Sequence, residues 1–160
     1  MIQSAFQDKL TQLRANNCEE LPTSELAILT RTITRLRRDK MYTRCLQVGE
    51  TVPDFGFIDA DNIKRKLYEV LDRGPVILNF FRGLWCPYCV TQIDAYENIQ
   101  PELARFGCAY FAISPQQPQT ALDGSGAYQV IFDRDNKIAR DCGIVYRLEQ
   151  VERNLFESWG

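Results

Sequence analysis

Apolar positions recur along this chain at two different periods, and the change of period divides it. Over residues 1–47 the period is helical. Ile2, Phe6, Leu10 and Leu13 stand four, four and three apart, which puts them on one face of a helix. Asn16, Asn17 and Pro22 interrupt the pattern. Leu26, Leu29, Ile33 and Leu36 then resume it at three, four and three, with Thr23 placed to cap the second helix. Two amphipathic helices with a short joint are expected, docked on the main domain or on a partner. Arg31, Arg35, Arg37, Arg38 and Lys40 make the second helix basic, which reads as a solvated face or as a patch for an acidic partner.

From Val48 onward short apolar runs replace the stripes. An irregular entry leads to a short strand at 55–58, a turn at Asp59-Ala-Asp-Asn62 and a short helix over 67–71. Val76 to Phe81 reads as a strand buried on both faces, the mark of the middle of a parallel sheet. Val90, Ile93, Tyr96, Ile99, Leu103 and Phe106 follow helical spacing, with Pro101 expected to kink or restart that helix near Gln100. Residues 108–113 and 129–132 predict two further strands, Asp133-Arg-Asp-Asn136 a turn and 137–142 a short helix. Residues 114–128 are rich in Pro, Gln, Gly and Ser, with room for a helical turn around Thr120. Residues 144–160 give no clear pattern. Strands alternating with helices place the main part in the α/β class.

Composition narrows the reading. With 160 residues, 45% of them hydrophobic, the chain can bury one substantial core and carry an appendage. The expected division is a helical extension over 1–47 and one domain over 48–160. The net charge of −2 implies no attraction to nucleic acid or to an anionic membrane. Histidine is absent, which removes imidazole bases, ligands and pH switches. The first residues lack the apolar core of a signal peptide, and no stretch approaches the ~20 apolar residues of a membrane span. Six cysteines without a secretory signal point to a reducing, cytoplasmic setting in which one special pair cycles.

That pair is Cys86-Pro-Tyr-Cys89, reached from the strand through Arg82, Gly83, Leu84 and Trp85, with a helical pattern directly behind. Strand, turn, C-x-x-C, helix is the arrangement of a redox pair in a βαβ setting. Two cysteines so spaced at a helix start bring their sulfurs within bonding reach. The partial positive charge of a helix N-terminus favours a thiolate there. Pro87 suits the first helical turn, where its missing amide costs nothing. Cys86, at the outer end, is the expected attacking thiolate and Cys89 the resolving thiol. Arg82 is the cation four residues before the first sulfur. Trp85, Pro87 and Tyr88 flank the sulfurs and are the candidates for substrate contact.

The chain resembles the peroxiredoxin-like branch of the alkyl hydroperoxide reductase/thiol-specific antioxidant family, within the thioredoxin-fold superfamily. The resemblance covers 47 to about 148 and is carried by Val48-Gly-Glu-Thr-Val-Pro-Asp-Phe55 and by Phe80-Phe-Arg-Gly-Leu-Trp-Cys-Pro-Tyr-Cys89. Ala112-Ile-Ser-Pro-Gln116 and the run from Phe132 to Arg140 add to it. It implies a thioredoxin-like α/β sandwich with a central mixed sheet and a thiol-dependent oxidoreductase or peroxidase that needs no cofactor. A protein disulfide or a hydroperoxide would be the substrate, and a thioredoxin- or glutathione-type thiol the electron donor. It also implies a competing assignment, with the peroxidatic thiol at Cys89 and Cys86 in the place of a threonine. Arg82 is then the nearby cation that would lower the thiolate pKa and steady a peroxide oxygen. The family pattern continues into a cis-proline strand that has no counterpart before Gly160. The expectations from that departure are an unpaired sheet edge, a homo-oligomer and weakened activity.

Other readings stand beside this one. A zinc site would need four converging cysteines, but Cys18, Cys45, Cys108 and Cys142 are isolated singles. Cys108 reads as core packing, and Cys45 and Cys142 as ordinary thiols, with a regulatory disulfide from either as the minor alternative. Trp85 reads as packing or as a shield for the sulfurs. Arg82 reads as a solvated residue or as part of the site. The two aspartate-rich stretches are turns, because neither has the glycine and distal glutamate of a calcium loop. Three function classes follow: a redox enzyme, a redox-sensing interaction module, and an inactive fragment of a longer enzyme.

Overall fold

The computed structural model describes residues 2–59, 61–117 and 129–159. In chain order the helices are α1 (Ile2–Glu20), α2 (Thr23–Arg38), α3 (Leu67–Leu71), α4 (Pro87–Asn98), α5 (Gln100–Arg105), α6 (Lys137–Asp141) and α7 (Gln150–Ser158). The strands are β1 (Gly56–Ile58), β2 (Lys64–Lys66), β3 (Val76–Phe80), β4 (Ala109–Ser114) and β5 (Gln129–Phe132). The helical turn expected around Thr120 lies outside the described residues. Two compact units result, one of residues 1–51 with 142–160 and one of residues 52–141. The C-terminal segment, grouped from the sequence with the second domain, thus falls with the N-terminal helices. Among the described residues no helix is long and apolar enough to cross a membrane.

The second unit is built on a parallel sheet of order β3-β4-β5. Val76 to Phe80 pair with Ala109 to Ile113, and Phe111 to Ser114 with Gln129 to Phe132. β4 is the fully enclosed strand, with Tyr110 to Ser114 all buried. β3 lies at the edge of the described sheet and is mostly half-buried, against the central place its apolar run suggests and in line with the unpaired edge expected at the strand that carries the redox loop. Its apolar run is explained by a different burden: it must reach the core on both faces while carrying the redox loop.

The two-residue period of β4 sorts its side chains onto opposite faces. Tyr110 and Ala112 face α4, where Tyr110 stacks on Tyr96 at 4.6 Å between ring centroids and Ala112 joins a cluster with Phe81 and Ile93. Phe111, on the other face, meets Phe57 of β1 at 5.0 Å. Asn79 is a polar group inside this core. Its amide donates to the Tyr110 hydroxyl at 2.7 Å, which removes the penalty of burying it unpaired.

The turns are held by aspartates. Asp59 accepts from the backbone amides of Asp61 and Ile63 and pairs with Arg65, closing the antiparallel β1–β2 ribbon, whose second strand the sequence analysis did not anticipate. Asp133, 2% exposed, accepts from the amides of Ile138 and Ala139 and so starts α6.

The first unit corrects three expectations. Pro22, not Thr23, precedes α2, and Thr23 is its first residue. The buried position on α2 is Thr32, while Ile33 is 51% exposed. The apolar stripe yields because Thr32 bonds back to the Ile28 carbonyl at 2.9 Å and donates to Glu152 at 2.7 Å. Glu152 belongs to α7, which forms in the stretch without a legible pattern. It is 2% exposed and accepts two bonds at 2.8 Å from Arg35. Arg31 reaches Glu149 at 3.1 Å. Two of the basic residues expected on a solvated face thus meet carboxylates of the same chain.

Burial alone would raise the Glu152 pKa, but the bonds from Arg35, Thr32 and the Glu149 amide hold it below the ordinary carboxylate value. A depressed folded pKa stabilises above the unfolded value and loses that effect as pH falls through it. The stabilisation is therefore expected to be complete at neutral pH and to begin to be lost as pH falls below about 4.3, the ordinary glutamate value. Arg35→Met, which strands the carboxylate, is predicted to cost about 3 kcal/mol in urea unfolding at pH 7, and progressively less as pH is lowered through the carboxylate range.

Candidate active site

β3 delivers the chain to the site. After Phe80 the next amide, that of Phe81, still bonds to the Ile113 carbonyl at 2.9 Å, and only then does the chain turn away. Gly83 is buried in that turn. A Cβ there would meet the Trp85 ring and would lie 2.6 Å from Gln116 Oε1, so a side chain at this position has to displace one of them. Cys86 is the cap of α4 and Pro87 its first residue, with the amides of Cys89 and Val90 returning to the Cys86 carbonyl at 3.0 and 3.1 Å. The helix start that the spacing predicts is present, with the first sulfur at its positive end.

Two donors converge on that sulfur. The Cys89 thiol donates to Cys86 Sγ at 2.8 Å, well beyond the about 2.05 Å of a disulfide, and both cysteines are free. Arg82 Nη2 donates to the same sulfur at 3.2 Å. The guanidinium carbon lies 4.8 Å from the centre of the Trp85 ring, a cation–π stack that fixes the arginine over the pair. The bond from Cys89 stabilises the Cys86 thiolate most, burial opposes it, and Arg82 adds to the lowering, so the Cys86 pKa falls to about 5. Cys89 moves the other way, above the ordinary thiol range, because it gives its proton to the bond with Cys86 and is itself removed from water. At neutral pH the pair carries one negative charge, on Cys86, and one proton, on Cys89.

The structure therefore brings together Arg82, Trp85, Cys86 and Cys89. Pro87 is exposed and Tyr88 half-buried on the first turn of α4. The outer position expected of Cys86 does not expose it: Cys86 is 1% exposed while Cys89 is half-buried. Capping a helix at the end of a core strand turns its side chain inward. Arg82 is exposed and still bonds the sulfur, so its two sequence readings describe one side chain.

The remaining cysteines lie apart. Cys18 is exposed on α1, Cys45 bonds the Tyr42 carbonyl at 2.9 Å, Cys108 the Ala109 carbonyl at 3.6 Å, and Cys142 is buried. Among the described residues no three His, Cys, Asp or Glu side chains gather as a metal site. Sequence reasoning assigned no role to Ser114 or Gln116. Gln116 Oε1 accepts the Leu84 amide at 2.7 Å, and the only signal for it was the Ala112-Ile-Ser-Pro-Gln116 motif.

A sequence model of the AhpC/TSA family matches residues 48–156. The chain belongs to the AhpC/TSA family. It is thus a peroxiredoxin-like protein of the thioredoxin fold, with helices preceding the matched region. It is similar to thiol-disulfide oxidoreductase ResA of Geobacillus thermodenitrificans, at 24% identity over 102 residues, 61% of this chain and 58% of that one. It is also similar to MT1643 of Mycobacterium tuberculosis, provisionally named a peroxiredoxin, at 25% over 119 residues, 69% of this chain and 77% of that one. Among solved structures, peroxidoxin BcpB of Mycobacterium tuberculosis shares the fold. The TM-score is 0.55 at 24% identity, over 64% of this chain and 70% of that one. The chain spans little more than half the length of ResA.

A family member with this pair has a stability signature. Between about pH 5 and the ordinary thiol value, the unfolded chain holds a proton on Cys86 that the folded chain has released. Folding stability of the reduced protein should therefore rise with pH across that window. Cys86→Ser is expected to flatten the rise, and Arg82→Met to move its lower limit upward by about one unit. Urea unfolding at a series of pH values measures both.

Proposed function

We propose that this chain is a thiol peroxidase in which Cys86 is the nucleophile, Cys89 the resolving thiol and a small hydroperoxide the oxidising substrate. The observation that carries the reading is the convergence of Arg82 and Cys89 on a single sulfur. Its exposure of 1% favours a small oxidant over a protein disulfide, whose bulk would have to displace Arg82.

The electrons balance over two steps. The Cys86 thiolate attacks the terminal oxygen of the hydroperoxide and the O–O bond breaks. That oxygen keeps its hydrogen as Cys86 becomes a sulfenic acid, and the departing alkoxide or hydroxide takes a proton from solvent to leave as alcohol or water. Arg82 offers its N–H groups to the oxygens as charge develops on them. Cys89 then attacks the Cys86 sulfur, water departs, and a disulfide remains. A thioredoxin-type dithiol, or two glutathione-type thiols, returns two electrons and two protons and is itself oxidised to a disulfide, which suits a reducing compartment such as the cytoplasm.

A second reading, with Cys89 as the peroxidatic thiol, is favoured by its greater exposure. It is opposed by the proton that Cys89 retains. Peroxide consumption with dithiothreitol as reductant, read beside insulin reduction, tests the proposal. Wild-type protein is expected to consume peroxide faster than it reduces insulin, Arg82→Met to be slower by roughly a hundredfold, and Cys86→Ser to be inactive. Cys89→Ser should accumulate a sulfenic acid that dimedone traps on Cys86. A dimedone adduct on Cys89 in the Cys86→Ser protein would establish the second reading instead, and no turnover at all would favour an inactive fragment or a sensor.

A further inference from the structure

The redox loop, residues 82–85, is held from outside itself. Two residues reach it, Ser114 at the end of β4 and Gln116 two positions beyond the strand. Gln116 Oε1 accepts the Leu84 amide at 2.7 Å. The Gln116 amide donates in turn to Ser114 Oγ at 3.1 Å, and Ser114 Oγ donates to the Arg82 carbonyl at 3.5 Å. Ser114 is 1% exposed, so this is a built contact rather than a surface one. Gln116 Oε1 and the Trp85 ring both crowd the position a Gly83 side chain would occupy. The glutamine thus touches the loop between its two functional side chains, Arg82 and Trp85.

We propose that Gln116 is a positioning residue of the redox site, fixing the turn at Gly83-Leu84 so that Arg82 stacks on Trp85 and reaches Cys86. The physical argument is one of accounting for donors. The Leu84 amide sits in a turn, outside any sheet or helix ladder, and needs an acceptor where it is half-buried. Gln116 supplies it from two residues beyond β4, tied back to the strand's last residue, Ser114, and β4 itself is paired on both edges. Without that oxygen the turn would seek water, and the two backbone steps between Leu84 and Arg82 would carry the guanidinium away from the sulfur. The inference rests on the proposed role of Arg82 and Cys86, but its measurement does not depend on turnover.

The test is the ionisation of Cys86 in the reduced protein, followed by ultraviolet thiolate absorbance against pH with Cys86→Ser as the blank. The charged or titrating groups bonded to this sulfur are Arg82 and Cys89. Gln116→Met, which keeps the length but not the acceptor, is expected to shift the transition upward by about one unit. Gln116→Asn, which withdraws the amide by one methylene, should do the same if the methionine variant does not fold. Gln116→Glu retains an oxygen for Leu84 and should hold the Arg82 contact, seen as an unchanged quenching of Trp85 fluorescence. Gln117→Ala, the exposed neighbour, should leave both readings at wild type.

A wild-type titration in both Gln116→Met and Gln116→Asn would overturn the proposal, and so would an equal shift in Gln117→Ala. A shifted titration in a protein that consumes no peroxide would leave the positioning role standing and remove the peroxidase reading. Normal turnover with an unshifted titration would do the reverse.

Discussion

A thiolate buried at the end of a core strand is the constraint to which the second unit answers. Water would solvate that charge, and burial takes the water away. Three groups replace it: the start of α4, the Cys89 thiol at 2.8 Å and Arg82 at 3.2 Å. Each is short-range and directional, so each must be placed to within a few tenths of an ångström. Burial raises the thiol pKa and the donors lower it; the donors prevail, and Cys86 titrates at about 5. The same bonds leave the proton on Cys89. A nucleophile and its resolving partner are separated by protonation state before any substrate arrives.

Placement of those donors depends on β4 more than on β3. β4 is paired on both edges, and its alternating faces grip α4 through Tyr110 and Ala112 and the β1 ribbon through Phe111. It fixes α4, and with it Cys89, on one side. Through Ser114 and Gln116 it meets the loop that carries Arg82 on the other. The first unit follows a similar logic with different chemistry. There a buried carboxylate, Glu152, draws Thr32 and Arg35 of α2 to α7, so helices of modest apolar content are joined by a specific polar contact. Such a network selects one register of the two helices as well as holding them.

Much of the second unit was legible because its elements are short and sharply punctuated. The bounds of α3 and β5, and the break between α4 and α5 at Pro101, follow from runs and breakers in the sequence. The C-x-x-C pair and its helix were legible for the same reason. What escaped was long-range. Whether a strand is central or at an edge depends on which partners arrive, and β3 and β4 have equally apolar sequences. The burial of Cys86 depends on the inward turn of a helix cap. α7 was hidden because its contact with α2 is made through Glu152, Thr32 and Arg35, which no hydrophobic period reports. Gln116 lies thirty-two positions from the amide it serves, and only the fold brings the two together.

The measurement that bears most directly on this account is a thiol–disulfide titration of the whole chain in glutathione buffers, with alkylation and mass spectrometry reporting each cysteine. Cys86 and Cys89 are predicted to oxidise together as one two-electron couple, the ratio changing tenfold over about 30 mV, while Cys18, Cys45, Cys108 and Cys142 stay reduced. Independent oxidation of Cys86 and Cys89, or an earlier disulfide between other cysteines, would contradict it.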